Sequence, residues 1–264
     1  MNNELQKDLI IVKVGTNVLA RTEDGQEILD HHAFESIGTQ VRELTDKGIG
    51  VILVSSGAIT AGVLGDQQSR EDVADKPVEL QRYAARGWHT VVQKWESVIG
   101  DKRVSATLLT KHELHTEPTR SKALGVIACC LVHGDVFVVN ENDTISDDEI
   151  KFGDNDTLAA ALAVECAVSG LFRSVKLVLL TNKSGFNRVA DDDSTLIHTV
   201  DDIDAVAHYA GDAENHNSRG GMKTKVQSAK VAKTVGVETV IANGRAKNAI
   251  QRALAGQIGT RFTA

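Results

Sequence analysis

A chain of 264 residues, 42% hydrophobic and 25% charged, can bury a full core as one large α/β domain or two closely joined lobes. Its net charge of −7 gives no electrostatic footprint for nucleic acid. No apolar run approaches membrane-spanning length, and Met1-Asn2-Asn3-Glu4 lacks a signal-peptide pattern. Cys129, Cys130 and Cys166 have neither zinc-ligand spacing nor a disulfide framework, so they read as small, mostly buried thiols of a reducing cytoplasm.

Along the chain, short β-branched runs alternate with helical patterns. Leu9-Ile10-Ile11-Val12 opens the series and ends in Lys13-Val14-Gly15-Thr16-Asn17. A lysine inside a buried strand is expensive unless an anion compensates it, and Gly15 allows close backbone approach to a ligand. The alternative is an edge lysine that reaches water. A helix follows, with Phe34, Ile37, Val41 and Leu44 on one stripe and Gly48 at its end. The strand Val51-Ile52-Leu53-Val54 then runs into Ser55-Ser56-Gly57-Ala58, small residues that suit either an anion site at a helix entrance or close helix–sheet packing.

Val136-Phe137-Val138-Val139 is the next buried strand, ending in Asn140-Glu141-Asn142-Asp143. That loop suits an ammonium ligand, or is an ordinary Asx-rich turn. Phe152-Gly153-Asp154-Asn155-Asp156-Thr157 precedes an Ala/Leu-rich helix. Its four capping residues exceed what one helix entrance needs, and the surplus suits holding an ammonium group or orienting a lysine. A purely structural cap is the alternative. After the strand Lys176–Leu180, an acidic stretch around Asp191-Asp192-Asp193, Asp201-Asp202 and Asp204 reads as a solvated face. Arg219-Gly220-Gly221-Met222-Lys223-Thr224-Lys225 opens a helix through Val226, Ala229 and Ala232. Cations in a first turn run against the helix dipole unless a phosphate is bound there; the alternative is a solvated basic face shared with Lys230 and Lys233. Thr239-Val240-Ile241 is the last buried run. Strands in this alternation predict a parallel sheet with helices on both faces and ligand loops beyond the strands' carboxyl ends. His112-Glu113-Leu114-His115 lacks zinc-protease spacing and reads as a solvated helix end.

In this order the motifs Val12–Asn17, Ser55–Ala58, Asn140–Asp143, Ile150–Asp156 and Gly220–Lys225 resemble the amino acid kinase family, most closely its glutamate 5-kinase branch. Gly259-Thr260-Arg261-Phe262 looks like the end of that kinase domain, without the C-terminal RNA-binding-like domain of many bacterial members. The resemblance implies a three-layer αβα sandwich with a mostly parallel central sheet. It implies an acceptor-binding lobe to about residue 172 and a nucleotide-binding lobe from about residue 173. The implied reaction moves the γ-phosphoryl of ATP, with Mg2+ carried on the phosphates, onto the side-chain carboxylate of L-glutamate. The glutamyl 5-phosphate formed would feed proline synthesis.

By the same resemblance, Lys13 and Lys225 would neutralise the transferred group and Asp156 would orient both. Ser56, Gly57, Asp143, Asn155 and Asp154 would bind glutamate. Gly15, Thr181, Asn182, Gly220, Gly221 and Met222, with the two lysines, would hold the nucleotide. A dimer or tetramer without nucleic-acid or membrane partners is also implied. The chain departs from the usual pattern at Thr181-Asn182, Asn187–Asp191, Ser218-Arg219 and Ala84–Trp88. A related kinase with another acceptor, or a catalytically silent glutamate sensor, are the other readings.

Overall fold

The computed structural model describes residues 7–23, 26–66, 71–145, 154–210 and 221–264. In chain order the first half comprises β1 (Asp8–Val14), α1 (Thr16–Leu19), β2 (Ala20–Glu23), β3 (Gln26–Leu29), α2 (His31–Asp46), β4 (Gly50–Ser55), α3 (Ala58–Leu64), α4 (Pro77–Ile99), β5 (Val104–Leu109), α5 (Lys111–His115) and α6 (Thr119–Val132). The second half comprises β6 (Val136–Glu141), α7 (Asp154–Val168), β7 (Ser174–Thr181), β8 (Thr199–Val200), α8 (Ile203–Val206), α9 (Met222–Lys233), β9 (Glu238–Asn243), α10 (Ala249–Leu254) and β10 (Thr260–Phe262). Eight strands form the central sheet in the order β5-β6-β4-β1-β7-β9-β10-β8. Strands β5 through β9 are parallel, and β10 turns back antiparallel to β9. The small β2–β3 pair stands apart as an antiparallel ribbon.

The two-residue period of each strand divides the core into two. Leu9 and Ile11 of β1, Ile52 and Val54 of β4, Phe137 and Val139 of β6, and Leu177 and Leu179 of β7 face the layer containing α6, α7 and α9. Ile10, Val12 and Val14, with Val51, Leu53, Val136, Val138, Val178 and Leu180, face the layer of α2, α4 and α10. The result is the expected three-layer sandwich. By the same alternation Lys13 shares its face with Leu9 and Ile11 and points toward α7 and α9. Because β4 flanks β1 on one side and β7 on the other, the chain reverses its direction of travel across the sheet at β1, which is where open α/β sheets form ligand crevices.

Helix α2 buries the expected stripe of Phe34, Ile37, Val41 and Leu44, and Asp30 caps its start by accepting from the Ala33 amide. Gly48, at φ +80°, provides the left-handed turn after it. Helix α7 is apolar nearly all round because it lies under neighbouring elements on several sides; Leu158 through Ala163 are all buried. Helices α3 and α4 meet at bare backbone. A Cβ on Gly87 would lie 1.9 Å from the Ala58 carbonyl oxygen, and one on Gly62 would lie 2.1 Å from that of Tyr83. On the sheet side of α4, Trp95 donates its indole N–H to Ser55 Oγ at 2.8 Å and packs against Phe34 with ring centroids 4.5 Å apart and planes tilted by 52°.

One expectation needs correction, and two others gain detail. Cys166 is buried and Cys130 half-buried, but Cys129 is exposed on the outer side of α6. The acidic stretch is exposed yet partnered: Asp192 and Asp202 accept from first-turn amides, Asp191 pairs with Lys183, and Asp204 pairs with Lys230. His112–His115 lies in a short helix, α5, opened by a capping box between Thr110 and Glu113. The glycine seam predicts that Gly87→Ala, where a main-chain atom must move, destabilises by about 1–3 kcal/mol in urea unfolding. Gly125→Ala, on an open face of α6 with nothing within 4 Å, stabilises by about 0.5–1 kcal/mol in the same assay.

Candidate active site

Lys13, Asp156 and Lys225 come from β1, α7 and α9, and they meet. Lys13 Nζ lies 2.8 Å from Asp156 Oδ1, and Lys225 Nζ donates to Asp156 Oδ2 at 3.0 Å. Exposure is 6% for each lysine and 0% for Asp156. Each arrives for a local reason. Lys13 follows the face parity of β1, and Asp156 lies in the first turn of α7. Lys225 begins the buried stripe Lys225, Val226, Ala229 and Ala232 of α9, whereas Lys230 lies on the exposed side of the helix. The basic-face alternative for Lys225 therefore fails. Thr224 completes the centre, donating its hydroxyl to the Gly221 carbonyl at 2.8 Å within 3.2 Å of Asp156 Oδ2.

Electrostatics at this triad are finely opposed. Burial alone would raise the Asp156 carboxyl, but the positive charges of Lys13 and Lys225 hold it below its ordinary value. Burial lowers the Lys225 ammonium, and Lys13 lowers it further, against the pull of Asp156. Two ammonium groups share the carboxylate of Asp156, and an oxyanion entering between the lysines would be attracted by both.

A second cluster sits at the carboxyl ends of β4 and β6. The Asn155 amide donates to Ser56 Oγ at 3.1 Å and to Asn140 Oδ1 at 2.7 Å, while its own Oδ1 accepts from the Glu141 amide at 3.0 Å. Asn140 in turn donates to Asp143 Oδ2 at 3.4 Å. Ser56 and Asn155 are thus bonded directly, and Asp143 joins them through Asn140. Gly57 begins the turn into α3 at φ +104°, a conformation that requires glycine.

The third group lies along the ends of β1, β7 and β9. The Gly15 amide donates to the Leu180 carbonyl at 3.3 Å, and a side chain there would begin 3.4 Å from Lys13 Nζ. Thr181 closes β7 and donates to Asn182 Oδ1 at 3.4 Å, in the exposed turn beyond. Gly221 and Met222 open α9. Gly220, Phe152 and Gly153, the side chain of Asp154, and Ser218-Arg219 lie outside the described residues. Of the unusual Ala84–Trp88 segment, Arg86 is exposed and paired with Asp66, and Trp88 packs against the core on the α2–α4 side of the sheet.

Asn140 and Thr224 were missing from the residues singled out individually. Both lay inside quoted motifs, and only the fold reveals their orienting bonds. The triad predicts that Asp156→Asn takes the shared carboxylate away from two buried lysines and costs about 3–5 kcal/mol in urea unfolding. The carboxyl's lowered value gives the pH signature. In the wild type its contribution is complete above the ordinary carboxylate range and is lost as pH falls through the lower folded value, a loss the variant lacks.

Residues 8–243 match the model of the amino acid kinase family. The chain is 35% identical to a Glutamate 5-kinase 2 of Pseudoalteromonas translucida, covering 98% of this chain and 69% of that protein. It is 35% identical to a Glutamate 5-kinase of Herpetosiphon aurantiacus, with 96% and 67% covered, and 36% identical to one of Vibrio vulnificus, with 97% and 67% covered. It therefore spans about two thirds of the length of these relatives. Among solved structures it is similar to carbamate kinase from Giardia lamblia bound to AMP-PNP, with TM-score 0.64, 16% identity and coverage of 97% of this chain and 98% of that one. It is also similar to UMP kinase from Bacillus anthracis, with TM-score 0.61, 14% identity and coverage of 98% and 96%.

Proposed function

The chain belongs to the amino acid kinase family, and we propose that within it this protein is an ATP-dependent glutamate 5-kinase, forming glutamyl 5-phosphate as the first step of proline biosynthesis. Near-complete coverage by relatives of that name supports the reading. One structural observation carries it: the strand order β6-β4-β1-β7-β9 sets the Ser56–Asn155–Asp143 cluster on one side of Lys13 and the Gly15–Thr181 edge on the other. An acceptor, a pair of cations and a nucleotide then follow one another along the crevice.

In this reading a side-chain carboxylate oxygen of glutamate forms a bond to the γ-phosphorus of ATP as the bond to the β-phosphate oxygen breaks, and ADP leaves with that electron pair. The acceptor is already ionised near neutral pH, so no general base is needed. Lys13 and Lys225 supply cationic contacts to the phosphoryl oxygens as charge redistributes, and Asp156 fixes both in advance. Asp143 offers a carboxylate to the α-ammonium of glutamate. Ser56 accepts from Asn155, which leaves its own proton to donate to a glutamate oxygen. Gly15 and Thr181, with Asn182, Gly221 and Met222, hold the nucleotide.

In this reading magnesium arrives on the nucleotide. Both Asp156 oxygens face ammonium groups, and no group of three His, Cys, Asp or Glu that could hold a metal occurs among the described residues. When bound, such an ion would neutralise phosphate charge. A homo-oligomer of the cytoplasm is part of the same proposal; no helix among the described residues is long and apolar enough to cross a membrane.

Magnesium-dependent ADP release with a panel of acids tests the reading. Release with glutamate supports it, release only with another acid reassigns the acceptor, and glutamate binding without turnover makes the protein a sensor. Lys225→Ala is expected to lower kcat by about 100- to 1000-fold while glutamate binding changes little; equal losses in both would remove its role in the transition state. Because burial lowers the Lys225 ammonium in the ligand-free protein, the alkaline fall in kcat/KM for ATP should begin below the ordinary lysine range, and a profile flat to about pH 10 would contradict this.

A further inference from the structure

Arg245 lies in the turn between β9 and α10, outside every motif considered above. Its guanidinium donates from Nε and Nη2 to the Asn17 carbonyl, each at 3.3 Å, and from Nη2 to the Ala20 carbonyl at 2.6 Å. Nη1 donates to Asp30 Oδ2 at 2.9 Å. All three partners belong to the stretch of chain that leaves Lys13 and Gly15. The backbone around Arg245 is fixed from the opposite direction. Its amide donates to Asn243 Oδ1 at 2.9 Å, and the Gly244 amide donates to the Thr181 carbonyl at 2.8 Å. Gly244 packs so closely that a Cβ there would lie 2.9 Å from Val18 Cγ1 and 3.0 Å from Leu180 Cβ.

The ends of β1, β7 and β9 are therefore tied together through one planar cation that fits three acceptors at once. A lysine is a point charge and cannot reproduce that fork. We propose that Arg245 is a positioning residue for the nucleotide, holding the Gly15–Ala20 segment at a fixed distance from the Thr181 edge. It touches no reacting atom; its effect passes through Gly15 and Lys13. The inference rests on the phosphotransfer reading of the crevice. Without the clamp, nucleotide binding would have to order the segment itself, so affinity for ATP and ADP falls while the acceptor cluster on β4 and β6 is untouched.

The test compares the full chain with Arg245→Met, Arg245→Lys and Asp30→Asn. Asparagine caps a helix as well as aspartate, so Asp30→Asn removes the ionic contact to Arg245, with the longer 3.8 Å one to the exposed Arg21, and keeps the start of α2. Arg245→Met is expected to raise KM for ATP and weaken ADP binding in calorimetry by about 10-fold each, with KM for glutamate within about twofold. Arg245→Lys should fall between, Asp30→Asn should move in the same direction, and the Met/Asn double variant should add nothing to Arg245→Met. Unchanged ADP affinity in the Arg245 variants, or equal losses toward glutamate and nucleotide, would reduce Arg245 to a structural contact and overturn the inference. Should Arg245→Met fail to fold, the other two single variants decide by the same criterion. A wild type that binds ADP but releases none from ATP with glutamate defeats the phosphotransfer reading, and the calorimetric comparison still judges Arg245. A wild type that binds no ADP sinks both.

Discussion

The structure is organised around one buried carboxylate shared by two lysines. Asp156 is fully enclosed, and each of its oxygens faces an ammonium group from a different layer. Isolated in that interior, any of the three charges would be intolerable. Together they form a cluster of mutually compensating charges, and the fold has to hold β1, α7 and α9 in register to maintain it. The helices are accordingly packed by small residues: Ala159, Ala160 and Ala163 on α7, and Ala229 and Ala232 on α9 are all buried. Short side chains bring the helix axes close enough to the sheet for a lysine and an aspartate to meet across them.

Around this centre the parallel sheet does the sorting. The register that pairs Val14 with Ser55 on one side and with Leu180 on the other brings three strand ends to the same level. Polar loops separated by scores of residues in the chain thereby open onto one edge. The acceptor-side network is oriented by a backbone group, since the Glu141 amide fixes which way Asn155 presents its own amide. That orientation passes to Ser56 and Asn140, and through Asn140 to Asp143. The polarity of the whole network is thus set by secondary structure and not by a freely rotating group.

Much of this was legible in the sequence because buried parallel strands write themselves as unbroken β-branched runs. β1, β4, β6, β7 and β9 all read that way, and the polar residues at the ends of the β1, β4 and β6 runs marked the site. Lys13 stood out as a charge in such a run, and Asp156 as a carboxylate in excess of capping. β5 was missed because its residues Val104–Leu109 include Ser105 and Thr107 and are only partly buried at the sheet edge. β8 and β10 are too short, at two and three residues, to carry a period. Asn140 and Arg245 act through bonds to groups distant in sequence, some of them main-chain carbonyls, and no residue pattern encodes such a partner. The exposed thiol of Cys129 was misread because α6 is apolar on both sides and gives no amphipathic signal of which side faces water.

The contact between Gly62 and Gly87 has a mechanical consequence. Where two helices touch through main-chain atoms, neither can slide by letting a side chain change rotamer, so α3 and α4 behave as a single rigid strut. One end of that strut is the Ser56-Gly57 turn, and α4 extends it over 23 residues. A tilt of α4 would therefore carry the serine loop with it.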